Sequence, residues 1–235
     1  MEILKGIEMI GKALWIKKQK VLILADLHIG YEEALNKQGV LVPRTQFKET
    51  KRKIEELLQE VKLKIIVING DLKHEFGGIS RQEWHETLGI LDLLREKAKV
   101  ILIKGNHDRI LEPIARKKGL EIKEFYCIDS EKICILHGNE VRIEKEVNNA
   151  KILIIGHEHP AISLQEGMKS EIYKCFLLGR WKGKKLIVMP SFLPLTEGSD
   201  IRKEKLLSPY LSNIKNFEIF VLGDRIYKFG KLKEI

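Results

Sequence analysis

The chain of 235 residues is 44% hydrophobic and 32% charged, with 18 glycines and 6 prolines. This balance excludes disorder and collagen-like order and suits one globular domain over residues 1–235, burying roughly 70–75% of its unfolded surface. Lys and Arg number 42 against 33 Asp and Glu, a formal charge of +9 that attracts phosphate or nucleic acid. The charges are spread along the whole chain, and the same Lys- and Glu-rich composition, poor in Asn and Gln, is that of a heat-adapted protein.

The N-terminus, MEILKGIEMIGKALWIKKQK, scatters acidic and basic residues through any apolar stretch, so it is read as neither a secretory signal nor a membrane segment, and a cytoplasmic protein is expected. The longest unbroken apolar run in the chain is Val21 to Ala25, against roughly 20 residues for a membrane span. Aliphatic runs recur at 21–25, 65–69, 100–103, 133–136 and 152–155, the pattern of strands buried on both faces. Helical spacing links Phe47, Ile54, Leu58 and Val61, and again Trp84, Leu88, Leu91 and Leu94; Ser80 and Glu83 have the spacing of a capping box. Strand, helix, strand, helix, strand predicts a parallel right-handed α/β unit. Beyond Glu121 short strands are expected at 121–128, 131–136, 151–155, 162–165, 171–178, 185–189, 217–222 and 225–229. Cys127, Cys134 and Cys175 sit in apolar runs without a CxxC pair and are expected to be inert core thiols.

Each of the five buried runs leads into residues that a plain loop does not need: Asp26-Leu27-His28, Gly70-Asp71, Gly105-Asn106-His107-Asp108, His137-Gly138 and Gly156-His157-Glu158-His159. Ligands of α/β sheets bind beyond the carboxyl ends of the strands, so the five loops are expected to converge. Five of the seven histidines lie in these turns; only His74 and His85 lie elsewhere. Imidazole, carboxylate and carboxamide together suit Mn, Fe, Co or Zn, while the absence of cysteine argues against a structural zinc site. In an extended segment residues two apart face the same way, so Asp26 and His28, or His157 and His159, or one from each pair, can grip one ion. Glycines before Asp71, Asn106 and His157 allow sharp turns.

The ordered set DxH, GD, GNHD, H, GHxH from Asp26 to His159 resembles the calcineurin-like metallophosphoesterases, and within them the small archaeal and bacterial phosphoesterases related to repair nucleases and to a DNA-ligase-associated endonuclease. Pro190-Ser191-Phe192-Leu193-Pro194-Leu195 is similar to the closing segment of that subgroup. The resemblance implies an α/β (α+β) fold: a two-sheet mixed β-sandwich flanked by helices. It implies two divalent ions, manganese foremost and Fe, Zn, Co or Ni as alternatives, bridged by Asp71. One would be held by Asp26, His28 and His159, the other by Asn106, His137 and His157. His107 would be the unligated catalytic histidine and Asp108 the carboxylate orienting it. Where many relatives place an acid after Gly70-Asp71, this chain has Leu72-Lys73-His74, leaving His74 open between supporting the ligands, facing substrate and a local role. His85 is read as a solvated surface residue.

Two ions and two carboxylates leave a positive centre suited to a phosphate ester, with a bridging hydroxide placed in line with phosphorus and His107 protonating the leaving oxygen or stabilising the transition state. The substrate class expected is a phosphodiester in nucleic acid or a nucleotide, with no membrane partner. A small-molecule phosphomonoesterase is the alternative, and a non-enzymatic scaffold, which would need a degraded site, a remote third. Lysine-rich segments at 48–53 and 182–185 are candidate polyanion contacts. Arg44, Arg180, Ser191 and Phe192 are loop residues that could reach a substrate, each with an ordinary surface or turn reading.

Overall fold

A computed structural model describes residues 1–235 except Arg44, Gly77 and Met168 and the side chain of Glu166. The first sheet holds β1 (Glu2–Leu4), β2 (Ile7–Ile10), β3 (Ala13–Ile16), β4 (Val21–Ala25), β5 (Ile65–Asn69), β6 (Lys99–Ile103) and β7 (Ile122–Lys123), side by side in that order. β1 to β4 form an antiparallel meander, and β4 to β7 run parallel. The parallel crossovers carry α1 (Tyr31–Lys37), α2 (Gln46–Glu60), α3 (Arg81–Arg95) and α4 (Glu112–Lys117).

The second sheet contains β8 (Phe125–Ile128), β9 (Ile133–Leu136), β10 (Ile152–Ile155), β11 (Pro160–Glu166), β12 (Lys169–Trp181), β13 (Lys184–Val188), β14 (Ser199–Asp200), β15 (Glu218–Leu222) and β16 (Ile226–Lys231). Its path is β14-β11-β12-β13-β10-β9-β8, with β15 on β12 and β16 on β15. β9, β10 and β13 are parallel, and α5 (Lys145–Asn149) spans the β9–β10 crossover. This is the two-sheet mixed sandwich flanked by helices implied by the sequence motifs.

The period-two alternation of the central strands builds the layers. In the wholly buried β4, Leu22 and Leu24 pack with Ile54, Leu58, Ile90, Leu91 and Leu94 of the helices. Val21, Ile23 and Ala25 pack instead with Ile133, Ile135, Ile154 and Ile187 of the second sheet. Each such side chain, fully buried, contributes roughly 1.5–3 kcal/mol. The same strands are thereby fixed in register, and their carboxyl ends meet at one edge. Gly70 N donates to Ile103 O (3.1 Å), Asp26 N to Gly70 O (3.3 Å), Phe192 N to Ala25 O (2.8 Å), Met189 N to Ile155 O (2.8 Å) and Gly156 N to His137 O (2.9 Å).

Several expectations change. The first sixteen residues, read only as a non-signal, form β1 to β3, with Ile7 and Met9 buried and Glu8 and Ile10 less so. α1, α4 and α5 have 7, 6 and 5 residues, too short for helical periodicity to show and stable only through packing. Cys127 and Cys134 are not free thiols: they stand opposite each other in the β8–β9 pairing and are joined by a disulfide, while Cys175 is a buried thiol as expected. Ser80 Oγ caps α3 by accepting from Glu83 N (3.0 Å), but the Glu83 carboxylate does not complete the box. It is buried and accepts instead from the amides of His74 (2.8 Å) and Glu75 (3.0 Å), bracing the loop after β5.

Candidate metal centre

The five loops converge. Asp26, His28 and His159 bring ligand atoms within 4.8 Å of one another, and so do Asp71, His137 and His157. His28 Nε2 lies 3.2 Å from His159 Nε2, which lies 3.7 Å from Asp26 Oδ1. In the second cluster His137 Nε2 is 3.2 Å from His157 Nδ1, 2.9 Å from Asn106 Oδ1 and 3.4 Å from Asp71 Oδ2. Asp71 Oδ2 is also 3.8 Å from His28 Nε2, so this one carboxylate faces both clusters.

The backbone at these residues is unusual. Asp26, His28, Asp71, His157 and His159 have φ of 54°, 45°, 44°, 65° and 50°, the left-handed region, at a cost on the order of 1–3 kcal/mol each for such strained residues. The extended DxH grip expected from alternation is therefore replaced by a curled one, because both ends of each motif turn left-handed. The Asp26–His28 pair stays together and is joined by His159, whereas the His157–His159 pair is split, His157 joining Asp71 and His137.

Close packing fixes the carboxylates. His157 N donates to Asp26 Oδ2 (3.1 Å), and His107 N donates to Asp71 Oδ1 (2.9 Å). Three glycines make room for these side chains: a Cβ at Gly70 would strike the His137 ring, one at Gly105 would strike Asp71, and one at Gly156 would lie 2.6 Å from Asp26 Oδ2. Glu158, between the two GHEH histidines, points away and is buried, accepting from Ser208 N (2.8 Å) and Leu207 N (2.9 Å) to pin the later loop.

The donor set fits divalent cations. Imidazole nitrogens face each other at 3.2 Å in both clusters, an arrangement that a shared cation or proton relieves, while Nδ1 of His137, on the other side of its ring, lies 3.5 Å from Asp26 Oδ1. Burial and then His159 push His28 well below the usual imidazole value. Burial and then His137 push His157 down to about 4, so both are neutral ligand-form rings. Burial opposes charging His137, but hydrogen bonding to Asp71 and its charge prevail and carry the ring up to about 9. Burial likewise opposes charge on Asp71, yet His137 holds it below the usual carboxylate range.

His107 approaches Asp71 Oδ2 at 4.0 Å through Nε2, and its Nδ1 is hydrogen-bonded to the His74 carbonyl. A carbonyl only accepts, so Nδ1 carries a proton and any proton exchanged with substrate sits on Nε2. This corrects the role given to Asp108. The Asp108 carboxylate accepts from the amides of Gly105 (3.0 Å), Leu72 (3.4 Å) and Lys73 (3.4 Å), and among the described residues no bond joins it to the His107 ring. Burial, and then the charge of Asp71, push Asp108 up to about 6. It braces the two loops, and the main chain of His74 aims His107. The His74 ring stands between those of Tyr31 and His107, with centroids 4.6 and 5.3 Å away.

Sequence reasoning missed Phe76, whose half-exposed ring lies 3.6 Å, centroid to centroid, from that of His107; an aromatic in a polar loop was the available signal. His85 is exposed as expected. Ser191 and Phe192 are buried and do not reach outward, because they lie under the strand ends. Arg180 pairs with Lys185 near the start of β13, at the opposite end of the sheet from the site. Arg44 lies outside the described residues.

The fold and this constellation define a metal-dependent phosphoesterase. The calcineurin-like phosphoesterase profile matches residues 19–140, and the chain belongs to that family. It is accordingly a hydrolase of phosphoester bonds using divalent metal ions. A comparison with curated protein sequences found no match. Among solved structures, the chain is similar to nuclease MPE of Pseudomonas putida, with 19% identity over 95% of this chain and 94% of that one and a TM-score of 0.69. Looser matches include the phosphoesterase Yfce of E. coli, 13% identical over 87% and 88% with a TM-score of 0.39, and wild-type Vps29 of Entamoeba histolytica complexed with zinc, 17% identical over 89% and 98% with a TM-score of 0.38. No helix among the described residues is long and apolar enough to cross a membrane.

Proposed function

We propose that the protein is a dinuclear phosphodiesterase acting on nucleic acid or nucleotides in the cytoplasm, with manganese as the working metal. The observation that carries the two-ion reading is that, of three three-residue clusters able to hold a cation among the described residues, the two containing carboxylates face one shared carboxylate, Asp71, while the third, His28, His74 and His107, has imidazoles alone. Asp26, His28, Asp71 and His159 would hold one ion, and Asp71, Asn106, His137 and His157 the other. When bound, the ions supply Lewis-acid charge and acidify a coordinated water. The chain's own part is positional. The left-handed turns and glycine contacts fix the ligands, and His107, aimed by His74 O, presents Nε2 as the proton donor to the leaving oxygen.

Support for a diester comes from the near full-length similarity to a nuclease and from Phe76, an exposed aromatic face beside His107 where a planar leaving group could rest. One observation favours the smaller substrate of a phosphomonoesterase. The basic stretch of α2 is paired along the helix, Lys53 with Glu49 (2.5 Å), Arg52 with Glu56 (2.7 Å) and Lys51 with Glu55 (3.9 Å), and residues 182–185 lie at the far end of the second sheet. Turnover of dinucleotides, single-stranded DNA and nucleoside monophosphates with Mn²⁺ decides between them. Diester turnover at least about tenfold above that of monoesters is expected; the reverse ratio removes the nuclease reading.

A further inference from the structure

The loop Ser191-Phe192-Leu193 lies directly beneath the DxH turn. Its amides hold the carbonyls of two consecutive residues there: Phe192 N donates to Ala25 O at 2.8 Å and Leu193 N to Asp26 O at 3.3 Å. Asp26 adopts φ 54°, a conformation that persists only where its surroundings over-determine it. The loop that does so is itself held by an uncommon group. Lys174, 8% exposed, donates from Nζ to Ser191 O (3.0 Å), Ser191 Oγ (2.7 Å) and Leu193 O. Burial, and then the neighbouring Lys12, push this amine down to about 6, so near neutral pH it is largely an uncharged amine with two N–H donors and a lone pair. Lys12 reaches the same segment from the β2–β3 turn, with Nζ 3.4 Å from Phe192 O and 3.3 Å from Leu193 O.

A buried lysine is rare without an acidic partner, and here its direct partners are main-chain carbonyls, one hydroxyl and the amine of Lys12. A methionine of similar length would fill the same space without the desolvation cost, so packing alone does not account for an amine at this position. What the amine adds is a fixed position for two carbonyls in the loop whose amides clamp the Asp26 turn.

We propose that Lys174, assisted by Lys12, is a positioning residue for the metal ligand Asp26, acting through the Ser191–Leu193 loop on the left-handed turn that aims its carboxylate. The consequence is selective. The ion held with His28 and His159 depends directly on this clamp, whereas the ion held by Asn106, His137 and His157 meets it only at one remove, through the contacts of His157 N and His137 Nδ1 with the Asp26 carboxylate. The selectivity rests on the two-ion reading above.

Metal-free protein titrated calorimetrically with Mn²⁺ tests it, comparing wild type with Lys174→Met. We expect one of the two binding events to weaken at least about 10-fold, the range for lost supporting contacts to a metal ligand, and the other to stay within about threefold. The kcat loss should be recovered by excess Mn²⁺ with KM unchanged. Equal weakening of both events, no change in either, or a kcat loss that metal does not restore overturns the proposal. If Lys174→Met does not fold by circular dichroism, Lys12→Met, at a partly exposed position, is expected to weaken the same event about threefold or more; no change there overturns the proposal as well. Wild type that takes up a single ion would instead sink the two-ion reading. The clamp is then judged on that ion alone, and an unchanged affinity in both variants refutes it.

Discussion

Asp71 accepts a 2.9 Å hydrogen bond at Oδ1 from the backbone amide of His107, while its Oδ2 faces His28, His137 and His107 Nε2 at 3.8, 3.4 and 4.0 Å. The carboxylate placed between the two histidine clusters is thus oriented by the residue proposed to deliver the proton. Because the contact is to the main chain, removing the His107 side chain leaves it intact.

From that arrangement, His107→Ala should keep its metal content and lose about 10²–10⁴ in kcat on a nucleotide diester, the range of a lost general acid. The loss should be much smaller on bis-p-nitrophenyl phosphate, whose leaving group departs without a proton. Equal losses on both substrates would show that Nε2 does not protonate the leaving oxygen.

Asp71→Asn should disturb both ions. Elemental analysis after loading with Mn²⁺ is expected to give about two ions per wild-type chain and fewer than one in the variant, since both clusters share this carboxylate. A wild-type stoichiometry that never passes one would remove the dinuclear centre.

Gly105→Ala places a methyl group against Asp71. Overpacking of this kind costs about 1–3 kcal/mol, and here the strain falls on the shared ligand. The stabilising effect of Mn²⁺ on thermal unfolding should therefore shrink well below the wild-type rise; an undiminished rise would mean that the loop after β6 yields freely.

Metal uptake should release protons. In the metal-free protein His137 is carried up to about 9 by Asp71, against burial, so it is protonated at pH 7.5 and must be neutral to bind an ion. About one proton per chain from this site is expected at pH 7.5, vanishing above pH 9, as read by calorimetry in buffers of different ionisation enthalpy. The same raised value means that the pair's contribution to metal-free stability is full below pH 6.5 and lost as pH rises through about 9.

Charge reversal at Lys182 and Lys185 should leave nucleic-acid affinity and its salt dependence unchanged, because this hairpin lies at the end of β13 remote from the strand ends that carry the site. A fall in the log K against log salt slope of about 0.7–0.9 per lysine would instead place the nucleic acid on that face.

The parallel strands of the first sheet and the polar loops that converge at their ends are legible in the order of residues alone. Uninterrupted aliphatic runs of this length are strands buried on both faces, and each is followed by polar residues that a mere loop does not need, which singles out Asp26, His28, Asp71, Asn106, His107, His137, His157 and His159. How these groups are held is a matter of three-dimensional packing. The left-handed turns at Asp26 and His159, the carbonyl of His74 behind His107, the turning of Asp108 toward three amides, and the Lys174 clamp all depend on segments that only the folded chain brings together. So do the Cys127–Cys134 disulfide and the meander of the first sixteen residues, whose short strands gain stability only from the sheet beside them. Local pattern records which groups are worth burying; the partner that satisfies each one is fixed only when both sheets close over the same strand ends.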